Sequence, residues 1–98
     1  MNELRIQPAA VEDAETAAEW YETHRPGLGI EFILELDAAL EKAVETPEAY
    51  ELKYRKVRRV LTRRFPYAVY FVLESNVVEV FAILHQHRDP STWQSRAQ

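Results

Sequence analysis

Cysteine is absent from this chain of 98 residues, which also has only two glycines and one methionine. Without cysteine there is no disulfide framework, no thiolate metal ligand and no thiol nucleophile, which favours a reducing compartment. An uninterrupted apolar run covers residues 68–73, and no run approaches the roughly 18 residues that span a bilayer. The N-terminal residues do not resemble a signal peptide. We therefore expect a soluble, cytoplasmic protein with no membrane contact.

The length predicts one domain over residues 1–98. A chain of this size buries roughly 60–65% of the surface that its unfolded form exposes, enough for one core between a sheet and a pair of helices. The charges are divided unequally along it. Residues 1–50 hold three bases and twelve acids, a net charge of −9, whereas residues 51–98 hold nine bases and four acids, a net charge of +5. Seven bases fall within residues 53–64 with no acid among them, so this block predicts a local anion site despite the overall acidity.

Helical spacing of apolar residues predicts two helices, over residues 8–24 and 29–45. Pro8 suits the first turn of a helix, and the Arg-Pro-Gly sequence at 25–27 ends it. So short a connection predicts an antiparallel helical hairpin. The residues expected to face the core are Val11, Ala14 and Ala18 in the first helix and Ile33, Leu36 and Leu40 in the second.

Period-two alternation and β-branched or aromatic residues predict strands near residues 4–6, 57–64, 67–74 and 77–86, with a polar connector over 47–56. A hairpin turn at Ser75 and Asn76 fixes the pairing of the last two strands. The predicted pairs are Val72 with Glu79, Tyr70 with Phe81, Ala68 with Ile83, and Pro66 with His85.

This register sorts the side chains onto two faces of the sheet. The first face is apolar and is expected under the helices; it carries Tyr67, Val69, Phe71, Leu73, Val78, Val80, Ala82 and Leu84. The second face is mixed and is where chemistry or a partner is expected; it carries Tyr70, Val72, Glu74, Glu79, Phe81, Ile83, His85 and His87. Asp89 and Pro90 predict the start of a short C-terminal helix, from which Trp93 folds back onto the body. The predicted fold is α+β, a helical hairpin packed on one face of a small, mainly antiparallel sheet in the order β-α-α-β-β-β.

Two segments carry a resemblance to a known family. Residues 63–70 read RRFPYAVY, and residues 85–90 read HQHRDP and are followed by Trp93. Together with the order of elements, they resemble the RelE/ParE superfamily of type II toxin–antitoxin toxins, the plasmid stabilisation family, over nearly the whole chain.

The resemblance implies one of two activities. RelE-like members are ribosome-dependent, metal-independent endoribonucleases that inhibit translation, whereas ParE-like members inhibit DNA gyrase and have no known nuclease site. Both are silenced by an antitoxin that wraps the toxin. The implied partners are therefore a cognate antitoxin and either the ribosome with its mRNA or DNA gyrase, and no cofactor or metal is implied. The first hypothesis is the endoribonuclease, the alternative is the gyrase inhibitor, and a degenerate member retained as a binding module is the third.

RNA cleavage needs a proton acceptor for the 2′-hydroxyl, a proton donor for the leaving oxygen, and cations for the phosphate. We assign the acceptor and donor to His85 and His87 and the phosphate-binding cations to Arg58 and Arg64. The expected nucleic-acid contacts are Lys53, Arg55, Lys56, Arg59, Arg63 and Arg88. This chain departs from the RelE pattern because it has no clear lysine pair and no tyrosine in its C-terminal segment.

Each of these residues also has a purely structural interpretation. His85 could end its strand by bonding a backbone carbonyl, and His87 and Arg88 could pair with Asp89. The basic block could serve mainly as a docking surface for antitoxin acids. His85 and His87 have the spacing of a metal pair on a strand, but no third ligand lies nearby in sequence. Trp20 is interpreted as a core residue.

Overall fold

The computed structural model describes residues 2–97. Its first half consists of β1 (Glu3–Ile6), α1 (Pro8–His24), α2 (Leu28–Glu45) and a 3₁₀ turn (Pro47–Ala49). Its second half consists of β2 (Leu52–Tyr54), β3 (Val57–Leu61), β4 (Tyr67–Glu74), β5 (Val77–His85), α3 (Pro90–Gln94) and a second 3₁₀ turn (Ser95–Ala97). In this part of the chain no helix has the length and apolar character needed to cross a membrane.

The strands of the described chain form a five-stranded sheet in the order β1-β5-β4-β3-β2. β1 runs parallel to β5, and every other neighbouring pair is antiparallel. The predicted α+β fold with a helical hairpin and a short C-terminal helix is confirmed. The sequence prediction missed β2, which lies inside the expected polar connector. The turn from β2 to β3 places Arg55 at a left-handed φ of 53°, and an arginine there carries no ordinary hairpin signal.

The helical hairpin is closed by Glu22 and two glycines. Gly27 has a φ of 90°, which a glycine adopts without steric cost. The Glu22 carboxylate accepts hydrogen bonds from the backbone amides of Gly27 and Gly29 at 3.0 Å each. A Cβ at Gly29 would lie 2.7 Å from the carbonyl oxygen of Ala18, so the absence of a side chain there lets α2 start close against α1.

The main core lies between the hairpin and one face of the sheet, and we call it the helix-side core. Its buried members include Ala10, Ala17, Phe32, Leu36, Leu40, Val69, Phe71, Val78, Val80 and Ile83. Most of the core residues predicted from periodicity are confirmed, including Phe71 and Val80, which have no exposed surface. Val11 is an exception, because 41% of it is exposed on the outer side of α1.

A β-bulge in β5 changes the predicted register of the last hairpin. The predicted pair Val72–Glu79 is present, but the register shifts between Tyr70 and Phe71. Beyond the shift, Tyr70 pairs with Ala82, Ala68 with Leu84, and Tyr67 with His85. The predicted pairs Tyr70–Phe81, Ala68–Ile83 and Pro66–His85 are therefore wrong by one residue. Because a bulge reverses the alternation of side chains, Ile83 and His85 turn toward the helices, while Ala82 and Leu84 turn to the other face.

The second face of the sheet is a smaller core rather than an open surface. Trp93 of α3 stacks on Tyr70 with ring centroids 4.6 Å apart and an interplanar angle of 16°. The Asp89 carboxylate caps α3 by accepting a hydrogen bond from the Ser91 amide at 2.9 Å, as the sequence predicted. The buried members of this second core are Val57, Ala68, Tyr70, Phe81, Ala82, Leu84 and Trp93.

Candidate functional site

The end of β5 places two imidazole rings beside Tyr67. The rings of His85 and Tyr67 have centroids 5.6 Å apart, and those of His85 and His87 are 5.5 Å apart. The Nδ1 atom of His85 accepts a hydrogen bond from the backbone amide of His87 at 3.1 Å. The structural interpretation of His85 had its ring bonded to a backbone carbonyl, whereas in the structure the ring bonds a backbone amide. The bulge thus moves His85 away from the mixed face on which the sequence placed it.

A cleft of about 750 Å³ opens between α1 and this end of the sheet. We call it the α1–β5 cleft. Its polar and aromatic lining includes Asp13, Trp20, Tyr67, His85, Arg88 and Arg96. The cleft therefore brings residues of α1 together with residues that lie more than forty positions later in the sequence.

Asp13 and Arg96 form a two-point ion pair in the lining of the cleft. Nη1 of Arg96 donates to Oδ2 of Asp13 at 2.6 Å, and Nη2 donates to Oδ1 at 3.2 Å. Asp13 also accepts from the amide of Ile83 at 3.0 Å, and Arg96 donates to the carbonyl of Phe81 at 3.2 Å. The hydrogen bond from Arg96 to Asp13 raises the pKa of that guanidinium. The pair therefore satisfies backbone groups that the β5 bulge removes from the strand ladder.

Trp20 and Arg88 also line the cleft. Trp20 is 55% exposed, so its interpretation as a core residue is wrong. Burial raises the pKa of the Tyr67 hydroxyl, and the positive charge of Arg88 partly opposes that rise. Among residues 2–97, no acidic side chain lies within ion-pair distance of Arg88, and Asp89 is engaged in the α3 cap.

Arg58 is engaged in a structural contact on the helix side of the sheet. It pairs with Phe71 across β3 and β4, which places it on the face covered by the hairpin. Its guanidinium donates to the backbone carbonyl of Tyr50 and so fixes the chain between α2 and β2. Within residues 2–97, neither Arg58 nor Arg64 contributes to the lining of the α1–β5 cleft.

Arg64 is bound to acidic residues of α2. Its Nε donates to Oε2 of Glu35 at 2.8 Å and its Nη2 donates to Oε1 of Glu31 at 3.3 Å. The backbone amides of Arg63 and Arg64 also donate to Glu35, at 3.1 and 2.9 Å. These bonds, above all the one from the Arg64 amide, lower the pKa of the Glu35 carboxyl. The loop between β3 and β4 is therefore anchored to α2.

The remaining bases of the block are spread over the β2–β3 hairpin. Lys53 pairs with Glu51 at 3.0 Å, and Lys56 pairs with Glu74 at 3.2 Å. Arg55 lies over the ring of Tyr54, 5.1 Å from its centroid. Arg59 faces the second side of the sheet, opposite Tyr70. The structure thus separates the candidate residues into three groups. His85, His87 and Arg88 lie at the end of β5, and Arg58 is bound to the connector. The third group lies along the β2–β3 hairpin and the loop beside α2, and it consists of Lys53, Arg55, Lys56, Arg59, Arg63 and Arg64. Their roles in nucleic-acid binding and catalysis stay predictions.

Sequence reasoning missed Asp13, Trp20 and Arg96 as site residues. Asp13 is one of several acids spaced along α1, and its partner Arg96 lies 83 residues away. The signal that could have identified Trp20 is its position in a helix next to Tyr21, because only one of two adjacent helical residues can lie at the centre of a buried stripe. Within residues 2–97, no group of three or more His, Cys, Asp or Glu side chains is placed to hold a metal ion.

Comparison with protein families gives one match that covers most of the chain. Residues 4–90 match the model of the ParE toxin of type II toxin–antitoxin systems, parDE. No curated protein gives a significant sequence match.

Comparison with solved structures gives strong matches of fold. A chain of the chromosomal ParDE toxin–antitoxin system from P. aeruginosa aligns with a TM-score of 0.78 and 13% identity, over 87% of this chain and 96% of that one. A chain of the intact E. coli RelBE toxin–antitoxin complex aligns with a TM-score of 0.66 and 18% identity, over 90% of this chain and all of that one. The isolated E. coli RelE toxin aligns with a TM-score of 0.66 and 17% identity, over 97% and 95% of the two chains. At these identities the alignments establish the fold.

Proposed function

Because this chain belongs to the ParE toxin family of type II toxin–antitoxin systems, we propose that it acts as a ParE-like inhibitor that binds DNA gyrase and does not cleave RNA. A cognate antitoxin holds it inactive. The observation that carries this proposal is the contact of Trp93 with Tyr70. That contact occupies the middle of the face on which an RNA-cleaving site was expected.

A nuclease needs its acid, base and cations around one phosphate. In this chain Arg58 is bound to the Tyr50 carbonyl, and Arg64 is bound to Glu35 and Glu31. Turning either guanidinium toward a phosphate would break these contacts and, for Arg58, would leave a carbonyl without its partner. The engagement of both arginines in these contacts supports a toxin that acts by binding its target.

The outer side of α2 offers a surface for the antitoxin. Ile30 and Leu34 of α2 are 68% and 63% exposed, and Leu61 of β3 is 45% exposed. We call these three residues the α2 strip. Leu34 and Leu61 border a groove that also contains Arg63 and Lys42. An amphipathic helix with apolar and acidic residues fits such a groove, and solved RelBE structures show that a toxin of this fold forms a complex with its antitoxin.

One observation favours the alternative, a ribosome-dependent endoribonuclease. His85, His87 and Arg88 lie together at the end of β5, where His85 is in contact with Tyr67. Imidazole and guanidinium groups are suited to proton transfer and phosphate binding. Cleavage at this group would require more than a bound phosphate, because a substrate 2′-hydroxyl would also have to lie beside one of the imidazoles.

Two assays separate these functions. The purified full chain is added to DNA gyrase with relaxed plasmid, and in parallel to a translation reaction whose mRNA is examined by primer extension. The proposal predicts loss of supercoiling and intact mRNA. Cuts in translated mRNA together with normal supercoiling would support the nuclease instead. Addition of the antitoxin should restore activity in whichever assay is inhibited.

A further inference from the structure

The α1–β5 cleft presents an indole ring that is held in place and exposed. Trp20 stacks on His24, with ring centroids 3.8 Å apart at 30°, and meets the edge of Tyr21 at 5.1 Å and 87°. It nevertheless keeps 55% of its surface exposed and lines the cleft. An aromatic ring held in this way is a platform on which a planar heterocycle can stack.

The same cleft has a cationic group available for an anion. The Arg88 guanidinium lines it, and among the described residues no carboxylate lies within ion-pair distance of that guanidinium. His85 lines the same cleft. Its Nδ1 already accepts from the His87 amide, so its Nε2–H is left as a donor. A guanidinium fork with a neighbouring N–H donor matches the oxygens of a phosphate.

The acidic residues of the cleft do not cancel the positive charge that Arg88 offers to an anion. Asp13 is neutralised by Arg96 and also accepts from the Ile83 amide. Glu12 is the other carboxylate in the lining, and its charge favours a ligand with one phosphate over a polyphosphate. The volume of about 750 Å³ lies within the usual range for small-molecule sites.

We infer that the α1–β5 cleft binds a nucleotide, with the base stacked on Trp20 and the phosphate held by Arg88. This site lies on the helix side of the sheet and goes beyond the proposed inhibition of gyrase. The ligand is either a free mononucleotide or the terminal nucleotide of a single strand, since both present a base and a phosphate.

Isothermal titration calorimetry on the full chain distinguishes the two sources. The probes are adenosine 5′-monophosphate, a short single-stranded oligoadenylate, and inorganic phosphate as the reference. Binding of the monophosphate identifies a free nucleotide as a ligand, and binding of the oligonucleotide alone identifies a strand end. Absence of binding by both would overturn the inference, and so would binding of inorganic phosphate as tight as that of the monophosphate.

Three variants test which residues make the contacts. Trp20→Ala should weaken binding by about fivefold or more, the lower limit for loss of base stacking on an aromatic side chain. Arg88→Gln should weaken binding by about tenfold or more, because it removes a charged hydrogen-bond donor. The matched control is Arg5→Gln, which removes the same charge from exposed β1 and should change affinity by less than about twofold. Equal losses of affinity in Arg88→Gln and Arg5→Gln would show that binding depends on the overall charge of the protein, and this result would overturn the inference.

Discussion

Asp13 on α1 and Arg96 near the C-terminus form a two-point ion pair, with N–O distances of 2.6 and 3.2 Å. The same two side chains bind the Ile83 amide and the Phe81 carbonyl of the β5 bulge. One pair of residues thus ties the first helix, the last strand and the C-terminal segment together. The segment that carries Trp93 is held against the sheet from this side.

Loss of this pair should destabilise the fold. Asp13→Ala leaves a partly buried guanidinium and the Ile83 amide without their acceptor, so we expect the free energy of unfolding to fall by about 2–4 kcal/mol. Arg96→Ala should cost less, because Asp13 keeps its bond to Ile83. Urea unfolding followed by circular dichroism measures both effects. Glu3→Ala, which breaks the exposed pair with Arg5, is the control and should cost less than about 1 kcal/mol; a similar cost for Asp13→Ala would contradict the structural role.

Trp93 should account for much of the stability of the second core. Trp93→Ala removes the ring stacked on Tyr70 and should lower the free energy of unfolding by about 3–5 kcal/mol. Trp20→Ala is a matched control on an exposed indole, for which we expect about 1 kcal/mol or less. Both values come from urea denaturation. Equal costs for the two variants would show that Trp93 does not bury the second face.

Glu35 should make stability depend on acid pH. Its hydrogen bonds with the Arg64 and Arg63 amides and the Arg64 side chain lower its pKa below the ordinary value of 4.5. The stabilisation is therefore fully present above pH 4.5 and is lost as the pH falls from there through the lowered pKa. Urea unfolding of the wild type and of Glu35→Gln, measured between about pH 6 and pH 3, should show two curves that converge on acidification. Parallel curves throughout this range would be inconsistent with the assignment.

The α2 strip should bind the antitoxin without being needed for folding. Leu34→Asp places a charge at the centre of an apolar contact and should weaken the complex by about tenfold or more, while the exposed position leaves thermal stability almost unchanged. Val11→Asp introduces the same charge at an exposed position of α1 and serves as the control. The measurement is titration of each toxin variant with the cognate antitoxin. An unchanged affinity for Leu34→Asp would place the antitoxin elsewhere.

Local patterns predicted most of the fold, because each helix and strand of the hairpins carries its own periodicity. The turn at Ser75 and Asn76 is an example: both residues take left-handed φ values, 50° and 63°, and the pairing next to the turn is as predicted. The bulge at Phe81 was not predictable in this way. Residues 80–84 are all apolar, so alternation gives no sign of an extra residue, and both faces of β5 are buried.

The site was harder to predict because it depends on that bulge. A single inserted position turns His85 toward α1, where it lines one cleft with Trp20, Arg88 and the Asp13–Arg96 pair. Asp13 and Arg96 lie on separate elements, 83 residues apart, and no short-range spacing marks them as partners. The cations of the basic block were predictable as charges, but their partners on α2 and the connector were not.

The most direct test of the central claim, inhibition by binding and not by RNA cleavage, is the effect of His85→Ala on gyrase supercoiling. Purified wild type and variant are titrated into the same supercoiling reaction at equal concentrations. If the chain inhibits gyrase by binding it, both proteins inhibit supercoiling with the same potency and both leave translated mRNA intact. The contrary result is a wild type that leaves gyrase active and cuts translated mRNA, with His85→Ala reducing that cleavage by the roughly 10²–10⁴-fold expected for loss of a general acid or base.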